Sequence, residues 1–272
     1  MKPMPTLLNV EWLALGYLAY VTFVAWVWTR PRRQRLVLTT AVVADALFII
    51  GLAAVPSRGV EIAREWLPGL QVLIGYWLSG LLFEQPMLGI ERWLVRSDER
   101  IGALLGGRQT YDRTPKALLE LVEFAYMTVS PMLPIGLAVV WIYASPHDSD
   151  RYWMVVTAAE IGCYGMLPWI QTRPPFAITS MDFVEARKIT CRRLTKSVMG
   201  KVSIYVNTLP SGHAAGSFAV ALAVWEQVPA AGPAFFIWSA LIIIGSVLGR
   251  NHYVFDAVTG VMVAVAAWLI VP

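Results

Sequence analysis

Few side chains in this sequence can move protons or carry a phosphoryl group near neutral pH. There are three histidines, His147, His213 and His252. His213 follows Pro210-Ser211-Gly212, and His252 lies in the run Arg250-Asn251-His252-Tyr253-Val254-Phe255-Asp256. His252 and Asp256 are spaced by four, so on a helix they share one face, one turn apart. A carboxylate there accepts a hydrogen bond from one imidazole nitrogen and fixes the tautomer, which frees the other nitrogen to attack. Ser211 and Gly212 offer a hydroxyl and backbone N–H groups at a helix start, where the dipole adds about half a positive charge. Arg173 brings a planar fork matched to phosphate oxygens. Two histidines, an arginine and a helix start suit a tetrahedral oxyanion, and no carboxylate cluster accompanies them to hold magnesium. The chemistry expected is metal-free phosphoryl transfer through a phosphohistidine, with no cofactor. His147 sits in a polar turn with nothing catalytic around it and reads as a surface residue.

The elements that must position these residues are apolar. Of 272 residues, 57% are hydrophobic and 15% charged, and mean hydropathy is +0.58. Ordinary soluble domains are about 45–50% apolar and about 25% charged. That balance argues against a cytosolic enzyme, a disordered chain and a nucleic-acid-binding protein. Twelve Trp and ten Tyr suit two membrane–water interfaces. The fold class expected is an all-α, polytopic helical bundle of about eight transmembrane helices. The candidate spans are 7–28, 36–55, 67–88, 117–143, 152–171, 212–228, 232–249 and 253–271. All but the sixth approach the roughly 20 residues that a bilayer requires. Residues 1–66 form two N-terminal spans, and residues 67–272 form a catalytic bundle of six.

This topology explains how distant residues meet. Span six leaves the face that carries His213, and span seven returns to it near Gly249. His252 therefore shares a face with His213, and the end of span five brings Arg173 there. Arg250 belongs to the same convergence. Residues 89–116 place Ile90, Trp93, Leu94, Ile101, Leu104 and Leu105 among charges, which predicts an amphipathic helix in the interface. Thr114-Pro115 reads as the cap and first position of the following helix. Residues 172–210 hold seven bases, Arg173, Arg187, Lys188, Arg192, Arg193, Lys196 and Lys201, and most read as a solvated loop near anionic headgroups. Connections on the side of the site carry 18 Lys and Arg, and the opposite side carries 4. The positive-inside rule reads the heavier side as cytoplasmic. The expected setting is a multi-pass protein of a cell membrane, such as a bacterial inner membrane.

Other polar residues fall in or beside spans: Asp45, Glu84, Glu120, Glu123 and Glu160. Acids at such positions are costly, and they pair or serve function. Glu120 and Glu123 read as interfacial, Asp45 as bonding a neighbouring helix, and Glu160, near the middle of span five, as a headgroup or packing contact. Gly245-x-x-x-Gly249 reads as close helix packing. Cys163 and Cys191 do not suggest a disulfide framework.

Pro210-Ser211-Gly212-His213, with His252-x-x-x-Asp256 downstream, resembles the type-2 phosphatidic acid phosphatase superfamily. Arg173-Pro174 resembles the end of its first motif. The likeness covers roughly residues 117–271. It implies a helical bundle and metal-independent transfer from a lipid phosphate. It implies His252 as nucleophile, Asp256 as its orienting partner and His213 as the acid that protonates the leaving group. Arg173, Ser211 and Gly212 are implied as phosphate binders. Two positions depart from the family pattern. Met166 stands where a lysine is usual, and Ser246 where an arginine is usual. Arg250 and a loop base such as Lys188 are the substitutes expected. The reduced motif set is similar to the branch that includes inositol phosphorylceramide and sphingomyelin synthases, which move a headgroup to an alcohol. The sequence thus carries three readings: a lipid phosphatase, a lipid phosphotransferase and a non-catalytic lipid carrier. The expected partners are a lipid phosphate and the bilayer.

Overall fold

The computed structural model describes residues 6–28, 30–104, 111–145 and 148–271. The expectation for His147 lies outside the described residues. The fold is all-α. In chain order the helices are α1 (Asn9–Val27), α2 (Arg32–Ala53), α3 (Arg58–Gly80), α4 (Leu88–Leu104), α5 (Lys116–Met127) and α6 (Val129–Tyr143). Then follow α7 (Ser149–Tyr164), α8 (Asp182–Ala186), α9 (Thr190–Val202), α10 (Gly212–Gln227), α11 (Gly232–Leu248) and α12 (Val254–Ile270).

The bundle centres on α10. Its first turns are built from Gly212, Ala214, Ala215, Gly216 and Ser217, all buried. Small side chains let α7, α11 and α12 approach its backbone closely, and these are its main neighbours together with α6. A Cβ on Gly260 of α12 would stand 2.5 Å from the Ser211 carbonyl, so this crossing admits glycine alone. Gly245 plays the expected packing role, since a Cβ there would meet the Val122 carbonyl of α5 at 2.1 Å. Ser217 and Ser239 share a hydrogen bond at 3.0 Å, which satisfies two buried hydroxyls between α10 and α11.

Several boundaries differ from expectation. Among the described residues, α1 and α2 are long and apolar enough to cross a membrane. The expected fourth span is two helices bent by 70° at Thr128, and only as one broken span would it be a third. The bend has a local cause. Thr128 Oγ1 accepts from the Trp238 indole at 2.7 Å and donates to the Ala125 carbonyl, competing with the helix ladder. The fifth span stops at Tyr164, and α10, α11 and α12 have 16, 17 and 17 residues. At 1.5 Å per residue these reach about 25 Å, short of a hydrocarbon core of about 30 Å. Pro115 is the N-cap of α5, one place later than the Thr114 expected.

The amphipathic helix is present as α4, with Leu94 fully buried and Trp93 exposed. The basic segment is more than a solvated loop. It folds into α8 and α9, and Arg187 donates to the carbonyls of Tyr111, Asp112 and Thr114. Asp45 bonds a neighbouring helix as expected, accepting from Gln71 of α3 at 3.0 Å. Glu120 is half-buried and receives the N–H groups of Thr190 and Cys191, so it caps α9. Glu123 is not interfacial. It is buried against Arg192 of α9 at 3.3 Å.

Candidate active site

Three connections meet at one end of α10. They are the segment after α7 (residues 165–178), the segment before α10 (residues 203–211), and the turn between α11 and α12 (residues 249–253). A bridge of Thr172 to Asn207 ties the first two, with Asn207 N donating to the Thr172 carbonyl at 2.9 Å. Phe176 N donates to the Arg250 carbonyl at 2.9 Å and Ser211 N to the Asp256 carbonyl at 3.0 Å, which ties in the third. The residues spread along the sequence are therefore brought together by backbone bonds that close the loops on each other.

The two histidines meet. His252 Nε2 lies 3.3 Å from His213 Nδ1. The His213 ring stacks on buried Tyr126, with centroids 4.9 Å apart and planes 19° apart, which fixes its orientation. His252 Nδ1 is 3.6 Å from Asp256 Oδ2 and has no hydrogen-bond partner. That separation exceeds a hydrogen bond, although catalytic contacts commonly tighten only when substrate is in place. Asp256 Oδ2 also accepts from Tyr253 N at 3.0 Å and so caps its own helix. Burial pushes the His252 imidazole down to about 4, which keeps it neutral with a free lone pair at neutral pH.

The expected anion binders are placed less simply. Arg173 is half-exposed and gripped by Glu91 of α4, with Nε to Oε1 at 3.0 Å and NH2 to Oε2 at 2.8 Å. Its backbone N–H also donates to Glu91 at 2.8 Å. These bonds set the guanidinium plane. Against the cost of its own burial, Arg173 holds the Glu91 carboxyl below its usual range. Arg250 reaches Thr179 Oγ1 at 3.0 Å. Its backbone sits at φ 58°, the left-handed region where a Cβ costs roughly 1–2 kcal/mol. That turn ends α11 and delivers the N–H groups of Asn251 and His252 to the Ser246 carbonyl, at 2.9 and 3.0 Å. Ser246 thus anchors the His252 turn with its backbone. Ser211 caps α10, its Oγ accepting from Ala214 N at 3.3 Å, and the Gly212 N–H is taken by Thr208 Oγ1 at 3.1 Å.

A small cavity of about 40 Å³ lies between these loops, lined by His213, His252, Asn251, Thr208 and Tyr205. A second, apolar cavity of about 410 Å³ adjoins it through Tyr76, Tyr126, Tyr164 and His213. A family model described as the PAP2 superfamily matches residues 92–270. The chain belongs to the PAP2 superfamily. The match begins inside α4, earlier than the motifs alone suggested, and so takes in most of that helix. No curated protein and no solved structure matches the chain in the searches made. Membership supports phosphatase or phosphotransferase chemistry on lipid phosphates in general.

Three groups in this PAP2 site were not legible from the motifs. Glu91 and Asp98 lie on α4, and Asp98 Oδ1 accepts from Val254 N at 3.0 Å, at the start of the helix that carries Asp256. Burial pushes the Asp98 carboxyl up to about 6. Their spacing of seven, two turns on one helical face, was the available signal. The third is Arg192. A Cβ built on Gly249 would stand 2.8 Å from Arg192 NH1 and 2.8 Å from Asn251 Nδ2, which puts both groups against the His252 turn. Arg192 Nε and Asn251 Nδ2 are buried donors without a partner.

Proposed function

We propose that this protein is a multi-pass membrane enzyme that cleaves a phosphate or diphosphate ester of a lipid, without a metal ion, through a phosphohistidine at His252. The observation that carries this reading is the 3.3 Å approach of the half-buried His213 ring to the buried His252 ring, beside Asp256, where a small cavity joins a large apolar one. Eight spans remain the arrangement we favour. They are α1, α2, α3, the broken pair α5–α6, α7, α10, α11 and α12, with α10 enclosed by its neighbours and α11 and α12 presenting exposed apolar faces.

In the proposed reaction, the neutral Nε2 of His252 attacks phosphorus, and the ester P–O bond breaks. The leaving oxygen takes a proton from His213. Water then attacks the phosphohistidine, gives its proton to His213, and releases phosphate and free His252. Asp256 holds the His252 ring and favours the charged product form. The rings now touch where the phosphoryl group must lie, so substrate parts them. Arg173 presents to the anion the edge that Glu91 leaves free, with Ser211, Gly212 and Arg250 at the rim. Arg192 and Asn251 supply donors that Met166 and Ser246 cannot.

A second reading is transfer of a phospho-headgroup to an alcohol or sphingoid lipid, as in the branch of inositol phosphorylceramide synthases. The apolar cavity at His213 favours it, since an alcohol acceptor needs room beside the site. Purified protein incubated with labelled lipid phosphates, with and without alcohol acceptors, separates the two. Free phosphate release supports hydrolysis, and labelled headgroup on the acceptor without free phosphate supports transfer. Neither product from any lipid would refute both.

A further inference from the structure

The reaction proposed above makes no use of Glu160, an acid buried within the bundle. It lies on α7, is 3% exposed, and lines the apolar cavity beside His213. Tyr164 engages its carboxyl, but Oε2 is buried with no hydrogen-bond partner. A buried acceptor left unpaired costs roughly 1–3 kcal/mol, more when charged. The helix opposite is shaped around it. A Cβ on Gly216 would stand 1.9 Å from Glu160 Oε1, and one on Gly212 would stand 3.2 Å from Oε2. Each glycine inside a helix costs roughly 1 kcal/mol relative to alanine. So α10 gives up a side chain at Gly216, whose room is filled by a carboxyl that remains half satisfied, while at Gly212 a Cβ would meet the Tyr164 ring at 2.6 Å, the ring that engages that carboxyl. An apolar residue at 160 would pack this space without penalty. The arrangement makes sense when a partner for Oε2 arrives from the cavity.

What arrives must bring a hydrogen to share, because Oε2 offers lone pairs. It must also bring that hydrogen close to the scissile bond, because Gly212 directly precedes His213. Resting on the phosphotransfer reading, we propose that Glu160 selects lipid phosphates bearing a hydrogen-bond donor, a hydroxyl or an N–H, within a few bonds of the phosphate ester. The apolar cavity of about 410 Å³ receives the adjoining hydrocarbon. Polyprenyl and diacylglycerol phosphates, which carry no such donor, leave the carboxyl unpaired and are poor substrates. Monoacylglycerol phosphates and phosphorylated sphingoid lipids satisfy it.

The test compares two lipids that differ in one hydrogen-bond donor: a monoacylglycerol 3-phosphate with a free 2-hydroxyl, and its 2-O-methyl ether. Labelled phosphate trapped on the full-length protein is measured, since trapping precedes any choice of acceptor. Wild type is expected to react with the hydroxy lipid about 2- to 10-fold faster, the range for a hydrogen bond between neutral groups. Glu160→Met keeps the volume and removes the acceptor, so the ratio should fall to near one. Glu160→Gln keeps an acceptor oxygen and should retain part of the preference. Equal rates for the two lipids in wild type would overturn the inference without any variant needing to fold, and so would an unchanged ratio in Glu160→Met. Trapping of neither lipid, nor of any other lipid phosphate, would instead overturn the phosphotransfer reading, and this one with it.

Discussion

The histidine half and the arginine half of the site are built on different plans. His213, His252 and Asp256 sit on or beside α10 and α12, two closely packed helices of the bundle. Glycine contacts bring these helices together, and His252 Nδ1 is left with no partner. Arg173 hangs on the longer connection after α7, Arg250 shares the short turn of His252, and each is held by another residue, Glu91 and Thr179. Chemistry that breaks a bond needs a preorganised nucleophile, because geometry is worth most at the reacting atoms. Binding an anion needs only donors that keep some of their hydrogens free.

If the contrast is real, substitutions in the two halves fail in different ways. The largest effect belongs to His252→Ala, which should form no covalent intermediate with any substrate. His213→Ala should lose about 10²–10⁴-fold with an alkyl phosphate, the usual worth of general acid help. A nitrophenyl phosphate, whose leaving group needs no proton, should recover part of that loss. It should not recover the His252 variant. Asp256→Asn should fall between the two on both substrates. The reverse pattern, rescue of His252→Ala and a dead His213→Ala, would exchange the two roles.

The arginine half should respond through affinity. Arg173→Ala should raise KM about 10- to 100-fold, as for the loss of a charged hydrogen bond, and leave trapping possible at high substrate. Glu91→Gln should have a smaller effect, a few-fold in KM, because it frees the guanidinium without removing it. A collapse of kcat in either variant would mean that Arg173 belongs with the histidines. Smallest of all is Asp98→Ala, which removes the acceptor at the start of α12. It should lower stability by about 1 kcal/mol, the range of a lost cap, read as a lower melting temperature with KM unchanged.

The histidine half was legible in the sequence because spacing and topology act locally there. Pro-Ser-Gly-His announces a helix start, His252 and Asp256 share a face by their separation, and an even number of spans returns the chain to one side. The span lengths were read less well. Hydropathy marks helices that touch lipid, and α2, apolar beyond its basic first turn, is among the least buried. The helices that build the site are short, at 16 or 17 residues, and of these α10 is enclosed by its neighbours. In the arginine half the arginines themselves were legible, but the partners that hold them were not. Glu91 and Arg173 are far apart in sequence, and an ion pair between a helix and a distant loop leaves no periodic trace. Glu123 and Arg192 share that difficulty, since each alone reads as an interfacial charge.

Acidity sharpens the contrast further. His252 is depressed to about 4 by burial, so its lone pair stays available well below the ordinary imidazole value of 6.5. Trapped intermediate, stopped in alkali, should therefore persist between pH 6.5 and 5. A midpoint near 6.5 would describe a solvated ring instead of a buried one.

The central claim is the covalent bond at His252. Full-length protein would be mixed with a labelled lipid phosphate in EDTA, stopped in alkali within the first turnover, and digested for peptide mapping. The account predicts label on the peptide that contains His252, in wild type and in His213→Ala, and none in His252→Ala. Label on another residue, or full turnover in His252→Ala, would contradict it.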